Sequence, residues 1–101
     1  MQMNANKPVS FAESAVSDME SIQSYYNDEG VPEKGKKLLR ELLSKIERLV
    51  DYPQSGRIVP EFEIEYLREI THPPFRIVYR YDKNRARIIR VWRSERNLEL
   101  P

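Results

Sequence analysis

The sequence predicts an α+β domain in which a short strand and two helices precede a group of strands. Two observations carry this prediction: an apolar stripe at helical spacing in the first half of the chain, and two β-rich runs around a polar turn in the second half. A chain of 101 residues can build one modest core, so residues 1–101 are expected to form a single domain.

The N-terminal residues predict a strand and then a helix. Met1–Asn6 is polar and expected to be disordered, and Lys7–Phe11 is a candidate strand at a sheet edge. Ser10 and Glu13 have the spacing of a capping box, so the first helix is expected at Phe11–Asp28. Its apolar positions recur at helical spacing: Val16, Met19, Ile22 and Tyr26.

A second helix is expected at Pro32–Tyr52. Pro32 suits the first helical position, where its missing N–H costs nothing, and Pro53 ends the helix. The apolar stripe of this helix consists of Leu38, Leu39, Leu42, Leu43, Ile46, Leu49 and Val50. The short link at Gly30 makes the two helices an antiparallel hairpin.

Strands are expected in the rest of the chain. Proline and glycine mark Tyr52–Phe62 as a loop, and Tyr66–Thr71 alternates as a strand does. Phe75–Tyr81 and Ala86–Arg93 are rich in β-branched and aromatic residues and flank Lys83-Asn84, so they predict a β-hairpin.

Counting outward from this turn predicts the hairpin register and two unlike faces. The predicted pairs are Tyr81 with Ala86, Tyr79 with Ile88, Val78 with Ile89, Ile77 with Arg90 and Phe75 with Trp92. A largely apolar face would carry Phe75, Ile77, Tyr79, Tyr81, Ile88 and Trp92. The other face would display Arg76, Arg80, Arg87 and Arg93, with Arg80 directly opposite Arg87.

The C-terminal quarter of the chain is basic. The net charge is +1, yet residues 75–101 hold eight basic and three acidic residues, which gives +5. A basic segment suits an anionic partner, whereas the alternative is that the arginines only solvate exposed strands and that Trp92 is core. The candidate residues for binding a target or partner are Arg76, Arg80, Arg87, Trp92, Arg93 and Arg96. Arg76, Arg93 and Arg96 are expected to lie close together near one end of the sheet.

Composition argues against several other classes of protein. The chain has no cysteine and one histidine, so neither a disulfide nor a metal site is expected, and nothing indicates a cofactor. No run approaches the ~20 apolar residues of a membrane span, and the polar N-terminus lacks the apolar segment of a signal peptide. A cytoplasmic protein without membrane association is therefore expected.

From the end of the second helix onward the chain carries short motifs in a specific order. They are Ile46-Glu47-Arg48-Leu49, Tyr52-Pro53-Gln54-Ser55-Gly56-Arg57, Val59-Pro60-Glu61, Tyr66-Leu67-Arg68-Glu69, Phe75-Arg76-Ile77-Val78-Tyr79-Arg80, and Arg90-Val91 leading to Ser94-Glu95-Arg96-Asn97-Leu98. In this order and spacing the chain resembles the RelE/ParE toxins of bacterial type II toxin–antitoxin systems. The resemblance implies a small toxin whose helix hairpin packs on one face of a twisted antiparallel sheet.

The RelE branch of this family consists of ribosome-dependent endoribonucleases, which need a proton acceptor, a proton donor and cations around the phosphate. By resemblance, such a site would use Arg68, Arg76, Arg93 and Arg96. By this resemblance, basic residues would be expected at two positions of the second sheet strand, but the chain has Leu67 and Glu69 there. Arg93 stands where many relatives carry histidine. An arginine does not release its proton near neutral pH, so Arg93 cannot fill the acid or base role and the catalytic set looks incomplete.

The sequence is therefore closer to the ParE branch, whose members inhibit DNA gyrase without RNA cleavage. The resemblance implies growth arrest, a cognate DNA-binding antitoxin similar to ParD, and a hetero-oligomer of the two. The alternatives are a RelE-like endoribonuclease, and a non-toxic relative that only binds an antitoxin.

Overall fold

A computed structural model of the chain describes residues 8–100, so the predicted disorder of Met1–Asn6 lies outside the described residues. The elements are β1 Val9–Phe11, α1 Glu13–Asp28, α2 Pro32–Glu47, a 3₁₀ turn Arg48–Val50, β2 Arg57–Ile58, β3 Leu67–His72, β4 Phe75–Asp82 and β5 Arg85–Arg93. The strands form one sheet in the order β1-β5-β4-β3-β2. The predicted α+β class and the order of the main elements are confirmed.

The sheet is mixed, whereas an antiparallel sheet was expected. β1 runs parallel to β5, with Val9 opposite Ala86 and Phe11 opposite Ile88, and the other strand pairs are antiparallel. Parallel strands need a long crossover connection, which the two helices and the strands after them supply here. The short strand β2 lies inside the segment expected to be only a loop, and it pairs with β3.

Both helices differ from prediction at one end. The capping box was wrong, because Ser10 belongs to β1 and its hydroxyl accepts a hydrogen bond from Arg87 at 3.2 Å. The residue before α1 is Ala12, whose N–H continues the sheet by donating to the Ile88 carbonyl at 2.8 Å. Ser10, which would cap the helix in a capping box, is therefore held in the sheet by strand pairing with β5. At its end, α2 tightens into the 3₁₀ turn and does not continue to Tyr52.

The two faces of the sheet bury separate apolar clusters. We call the side covered by α1 and α2 the helix face, and the opposite side the outer face. The helix face packs Phe75, Ile77, Tyr79, Ile88 and Val91 against Ala15, Ile22, Leu42, Ile46 and Leu49. On the outer face, Val59, Leu67, Val78 and Leu98 form a smaller cluster with Ile64, Ile89, Trp92 and Leu100 packed against it.

A β-bulge at Ile89 changes the predicted register of the hairpin. Near the turn the register is as expected, and Lys83 and Asn84 take positive φ values of 50° and 62°. Tyr79 pairs with Ile88, but the next residue of β4, Val78, pairs with Arg90. The extra residue moves every later partner by one position.

The predicted pairs beyond the bulge are therefore wrong. Ile77 faces Val91 and Phe75 faces Arg93, while Trp92 faces Arg76. Since a one-residue shift exchanges the two faces of a strand, Trp92 lies on the outer face and Arg93 on the helix face, the reverse of the prediction.

Within residues 8–100, no helix is long and apolar enough to cross a membrane. The same residues contain no group of three or more acidic or histidine side chains arranged to hold a metal ion.

Candidate partner-binding surfaces

Arg76 is at the centre of a buried ionic network on the outer face. Only 7% of Arg76 is exposed, and its Nε donates to Glu69 Oε1 at 2.7 Å. Its Nη1 and Nη2 donate to the two carboxylate oxygens of Glu61, each at 2.7 Å. Glu69, whose side chain is fully buried, also forms an ion pair with Arg57, with Nη2 of the arginine 2.6 Å from Oε2 of the glutamate. The network ties the loop that contains Glu61 to the sheet.

The paired charges of this network perturb its members in opposite directions. The hydrogen bonds from Arg76 hold the pKa of Glu61 below its usual range, and Glu61 and Glu69 raise the pKa of Arg76. Each guanidinium nitrogen of Arg76 already donates to a carboxylate. Arg76 is thus held inside the protein, and the predicted cluster of Arg76 with Arg93 on one face does not form.

Three of the four arginines expected of a RelE-like site, Arg68, Arg76 and Arg93, do not converge. Arg68 pairs with Tyr79 on the helix face, where it donates to the main-chain carbonyls of Glu65, Gln54 and Gly56. Arg93 is opposite Phe75, four residues further along β4, which corresponds to about 13 Å. Arg76 is on the other face, so these side chains cannot act on one phosphate.

A groove of about 570 Å³ lies between α1 and the end of β5. Its lining includes Asp18, Ser21, Ile22, Tyr25, Tyr26, Phe75, Arg90, Val91, Trp92, Arg93, Glu95 and Arg96. Tyr25 is 54% exposed, and its ring meets Tyr26 edge to face with centroids 5.1 Å apart. Three of the predicted binding residues, Trp92, Arg93 and Arg96, are therefore brought together on this groove.

Asp18 links α1 to β5 beside the groove, and its role was not predicted from the sequence. Its carboxylate accepts hydrogen bonds from Arg90 Nη2 at 2.7 Å and from the Val91 N–H at 2.9 Å. This pairing raises the pKa of Arg90. The available signal was its position, because Asp18 falls within the helical spacing of Ala15 and Ile22 on the buried side of α1.

The C-terminal segment fixes the position of Trp92. The indole N–H of Trp92 donates to the Asn97 carbonyl at 3.1 Å, and Arg90 lies over the ring at 4.2 Å from its centroid. On the other side of the strand, Arg93 lies over the Phe75 ring and pairs with Glu95 at 2.9 Å. The rim of the groove thus offers an aromatic surface, and Arg93 and the exposed Arg96 are the positive charges at its end.

Comparison with known proteins identifies the family. Residues 9–98 match the family model described as the ParE toxin of the type II toxin–antitoxin system parDE. This chain belongs to the ParE toxin family. The expected resemblance to the RelE/ParE toxins, on the side of the ParE branch, is confirmed.

One of several similar chains of known structure comes from P. aeruginosa. It is described as a chromosomal ParDE TA system from P. aeruginosa, with a TM-score of 0.72 and 24% sequence identity. The match covers 86% of this chain and 95% of that chain, so the two proteins share a fold over nearly their full lengths. None of the curated proteins matches this sequence.

The remaining predicted binding residues of this ParE-family chain are Arg80 and Arg87. They are exposed and directly opposite each other on the outer face, as the sequence predicted. The toxin therefore presents two separate surfaces, the groove beside α1 and a basic area near the hairpin turn, while Arg76 belongs to neither.

Proposed function

We propose that this chain inhibits DNA gyrase when it is free, and that a cognate antitoxin neutralises it. The observation that carries the proposal is the match of residues 9–98 to the ParE family. The separation of Arg68, Arg76 and Arg93 supports it, because a RelE-like endoribonuclease would need them around one phosphate.

The groove beside α1 is the proposed antitoxin site. β1 pairs with residues 86–88 of β5, and beyond them no strand within the described residues 8–100 lies on that edge. Ser14 and Asp18 of α1 cover the Ile89 carbonyl and the Val91 N–H, but α1 then leaves the strand and the groove opens. The N–H and the carbonyl of one strand residue point to the same edge of the strand, and so do those of the residue two positions on. The Val91 carbonyl and the Arg93 N–H therefore face this opening.

These features define the antitoxin segment that would fit. An extended segment could add to the free edge of β5, or an amphipathic helix could lie along the groove. Apolar side chains would contact Ile22, Tyr25 and Phe75, and a carboxylate would pair with Arg93 or Arg96. Burial of exposed Tyr25 and half-buried Trp92 would supply much of the affinity, since aromatic residues and arginine dominate interface energetics.

Expression and activity assays test the toxin function. The chain expressed alone in bacteria should arrest growth, and purified protein should inhibit supercoiling by gyrase without cutting ribosome-bound mRNA. Cuts in mRNA with normal gyrase activity would instead identify a RelE-like endoribonuclease. Harmless expression of folded protein would identify a non-toxic relative.

A matched pair of tyrosine variants tests the antitoxin site. Tyr25→Ala should weaken binding of the antitoxin encoded beside the toxin gene by at least about tenfold, as expected for an interface hot spot. Tyr52→Ala removes a tyrosine that is 67% exposed and lies outside the groove, and this variant should bind as the unchanged protein does. Equal affinities of the two variants would place the antitoxin elsewhere.

A further inference from the structure

The arginines of the outer face differ in whether an acidic group balances them. Arg76 and Arg90 each bind a carboxylate that is buried or half-buried. In contrast, no carboxylate oxygen within residues 8–100 lies within 4.0 Å of Arg80 or Arg87. Those two side chains keep their full positive charge at the surface.

Arg80 and Arg87 are also forced close together. They are directly opposite each other in β4 and β5, where Cα atoms are about 4.5–5.5 Å apart and like charges repel. Arg80 lies over the Tyr66 ring at 4.7 Å from its centroid, and Arg87 donates to the Ser10 hydroxyl at 3.2 Å. Both contacts are with neutral groups, so they orient the guanidiniums without cancelling their charge.

The hairpin turn adds a third cation to this area. Lys83 is exposed at the tip of the hairpin, one turn position before Asn84. The acidic residue of the tip, Asp82, is directly opposite Arg85 in the strand register, so these two residues add no net charge to the tip. Lys83 therefore adds one positive charge at the hairpin tip, next to the strand ends that carry Arg80 and Arg87 on the outer face.

We propose that Arg80, Arg87 and Lys83 form a binding site for the phosphate backbone of double-stranded DNA. Each guanidinium can donate two parallel hydrogen bonds to one phosphate, and a phosphate between Arg80 and Arg87 relieves their mutual repulsion. The site lies on the outer face, whereas the groove is formed between α1 and β5, so DNA and antitoxin would occupy different surfaces.

Duplex DNA fits this area better than an acidic protein segment does. Each DNA strand offers one phosphate about every 3.4 Å along the helix axis, so spaced cations find acceptors in any register. A peptide would need carboxylates placed to match Arg80 and Arg87, together with apolar contacts to hold it. Arg87 contacts the Ser10 hydroxyl and Arg80 stacks on the Tyr66 ring, and these surroundings suit a polar backbone.

The test measures binding of a fluorescent 20-base-pair duplex to the purified protein by anisotropy, in the absence of gyrase. Because gyrase is not included, the result is independent of the proposed target. Three phosphate contacts predict a slope of log K against log[salt] of about −2.7. The variant Arg80→Ala/Arg87→Ala should bind at least about tenfold more weakly, with a slope of about −0.9.

Two further variants separate local contacts from net charge. Arg40→Ala/Arg48→Ala removes the same charge from exposed positions of the second helix and its 3₁₀ turn, and should keep the original affinity and slope. Arg80→Lys/Arg87→Lys keeps the charge and should retain the slope while losing part of the affinity, because lysine cannot donate bidentately.

Each possible result decides the proposal. Unchanged DNA binding by Arg80→Ala/Arg87→Ala, with circular dichroism showing an intact fold, would overturn it. So would equal losses in the double variant and in Arg40→Ala/Arg48→Ala. A poly-glutamate peptide that binds as tightly as DNA, with the same dependence on Arg80 and Arg87, would overturn it in favour of an acidic protein partner.

Discussion

Replacing Arg76 with leucine should destabilise the protein strongly. The change removes the buried cation of the network and leaves Glu69, whose side chain has no exposed surface, with Arg57 as its remaining partner. Removing one partner of a buried ion pair costs about 3–5 kcal/mol, because a charge is left without compensation. The side chain of Arg57 is 64% exposed and its charge is partly screened by water, so we expect about 3 kcal/mol.

Two further variants test whether the loss of stability comes from the unpaired buried charge. Arg57→Leu removes the exposed partner while Arg76 still balances Glu69, so it should cost less than about 1 kcal/mol. The double variant Glu69→Leu/Arg76→Leu removes both buried charges and leaves only exposed groups unpaired. It should therefore be more stable than Arg76→Leu alone, since apolar residues can replace a buried pair at little cost.

Urea denaturation followed by far-ultraviolet circular dichroism measures all three variants. A loss of about 3 kcal/mol moves the midpoint by about 1.5 M for a slope near 2 kcal/mol per M. A shift for Arg76→Leu no larger than that of Arg57→Leu would refute the structural role of the network. A double variant less stable than the single one would show that Glu69 is stabilised by something other than these arginines.

Three further predictions concern single side chains. Tyr79→Phe should cost about 1–3 kcal/mol in thermal denaturation, because it leaves the buried Gly56 N–H without its acceptor. Burial raises the pKa of Tyr79, so its contribution to stability should be present below about pH 10 and lost at higher pH. Tyr79→Phe should lack this loss of stability at high pH. The depressed pKa of Glu61 stabilises the fold above about pH 4.5, and this contribution is lost on acidification. The free energy of unfolding of Glu61→Gln should therefore fall less at acidic pH, by less than about 1 kcal/mol. Arg87→Glu should raise the free energy of unfolding by about 0.2–1 kcal/mol, seen as a higher melting temperature, because the new carboxylate faces Arg80, while DNA binding is lost.

The close approach around Gly56 shows why the predicted loop has a defined structure. A Cβ atom at this position would lie 2.6 Å from the Tyr79 hydroxyl and 2.7 Å from the Glu69 carbonyl. The hydroxyl in turn donates to the Pro53 carbonyl at 2.8 Å. The proline and glycine that marked the segment as a loop in the sequence therefore also let it pack against the sheet.

Helices, strands and the hairpin turn could be predicted from the sequence because they depend on local patterns. The apolar stripe of α2 recurs every three or four residues, and Asn84 can take the positive φ of the hairpin turn at modest cost. The opposition of Arg80 and Arg87 also followed, because these residues lie between the turn and the bulge. The family resemblance likewise came from the order of short motifs.

Tertiary structure decided which side chains reach the surface. Nothing in the local pattern marks Ile89 as a bulge, yet this one residue exchanges the faces of Trp92 and Arg93. Glu69 reads as one more charged residue in an alternating strand, and only the arrival of Arg57 from β2 and Arg76 from β4 makes its burial possible. Local periodicity therefore determined the elements, whereas the charges and faces that form the sites depended on partners distant in sequence.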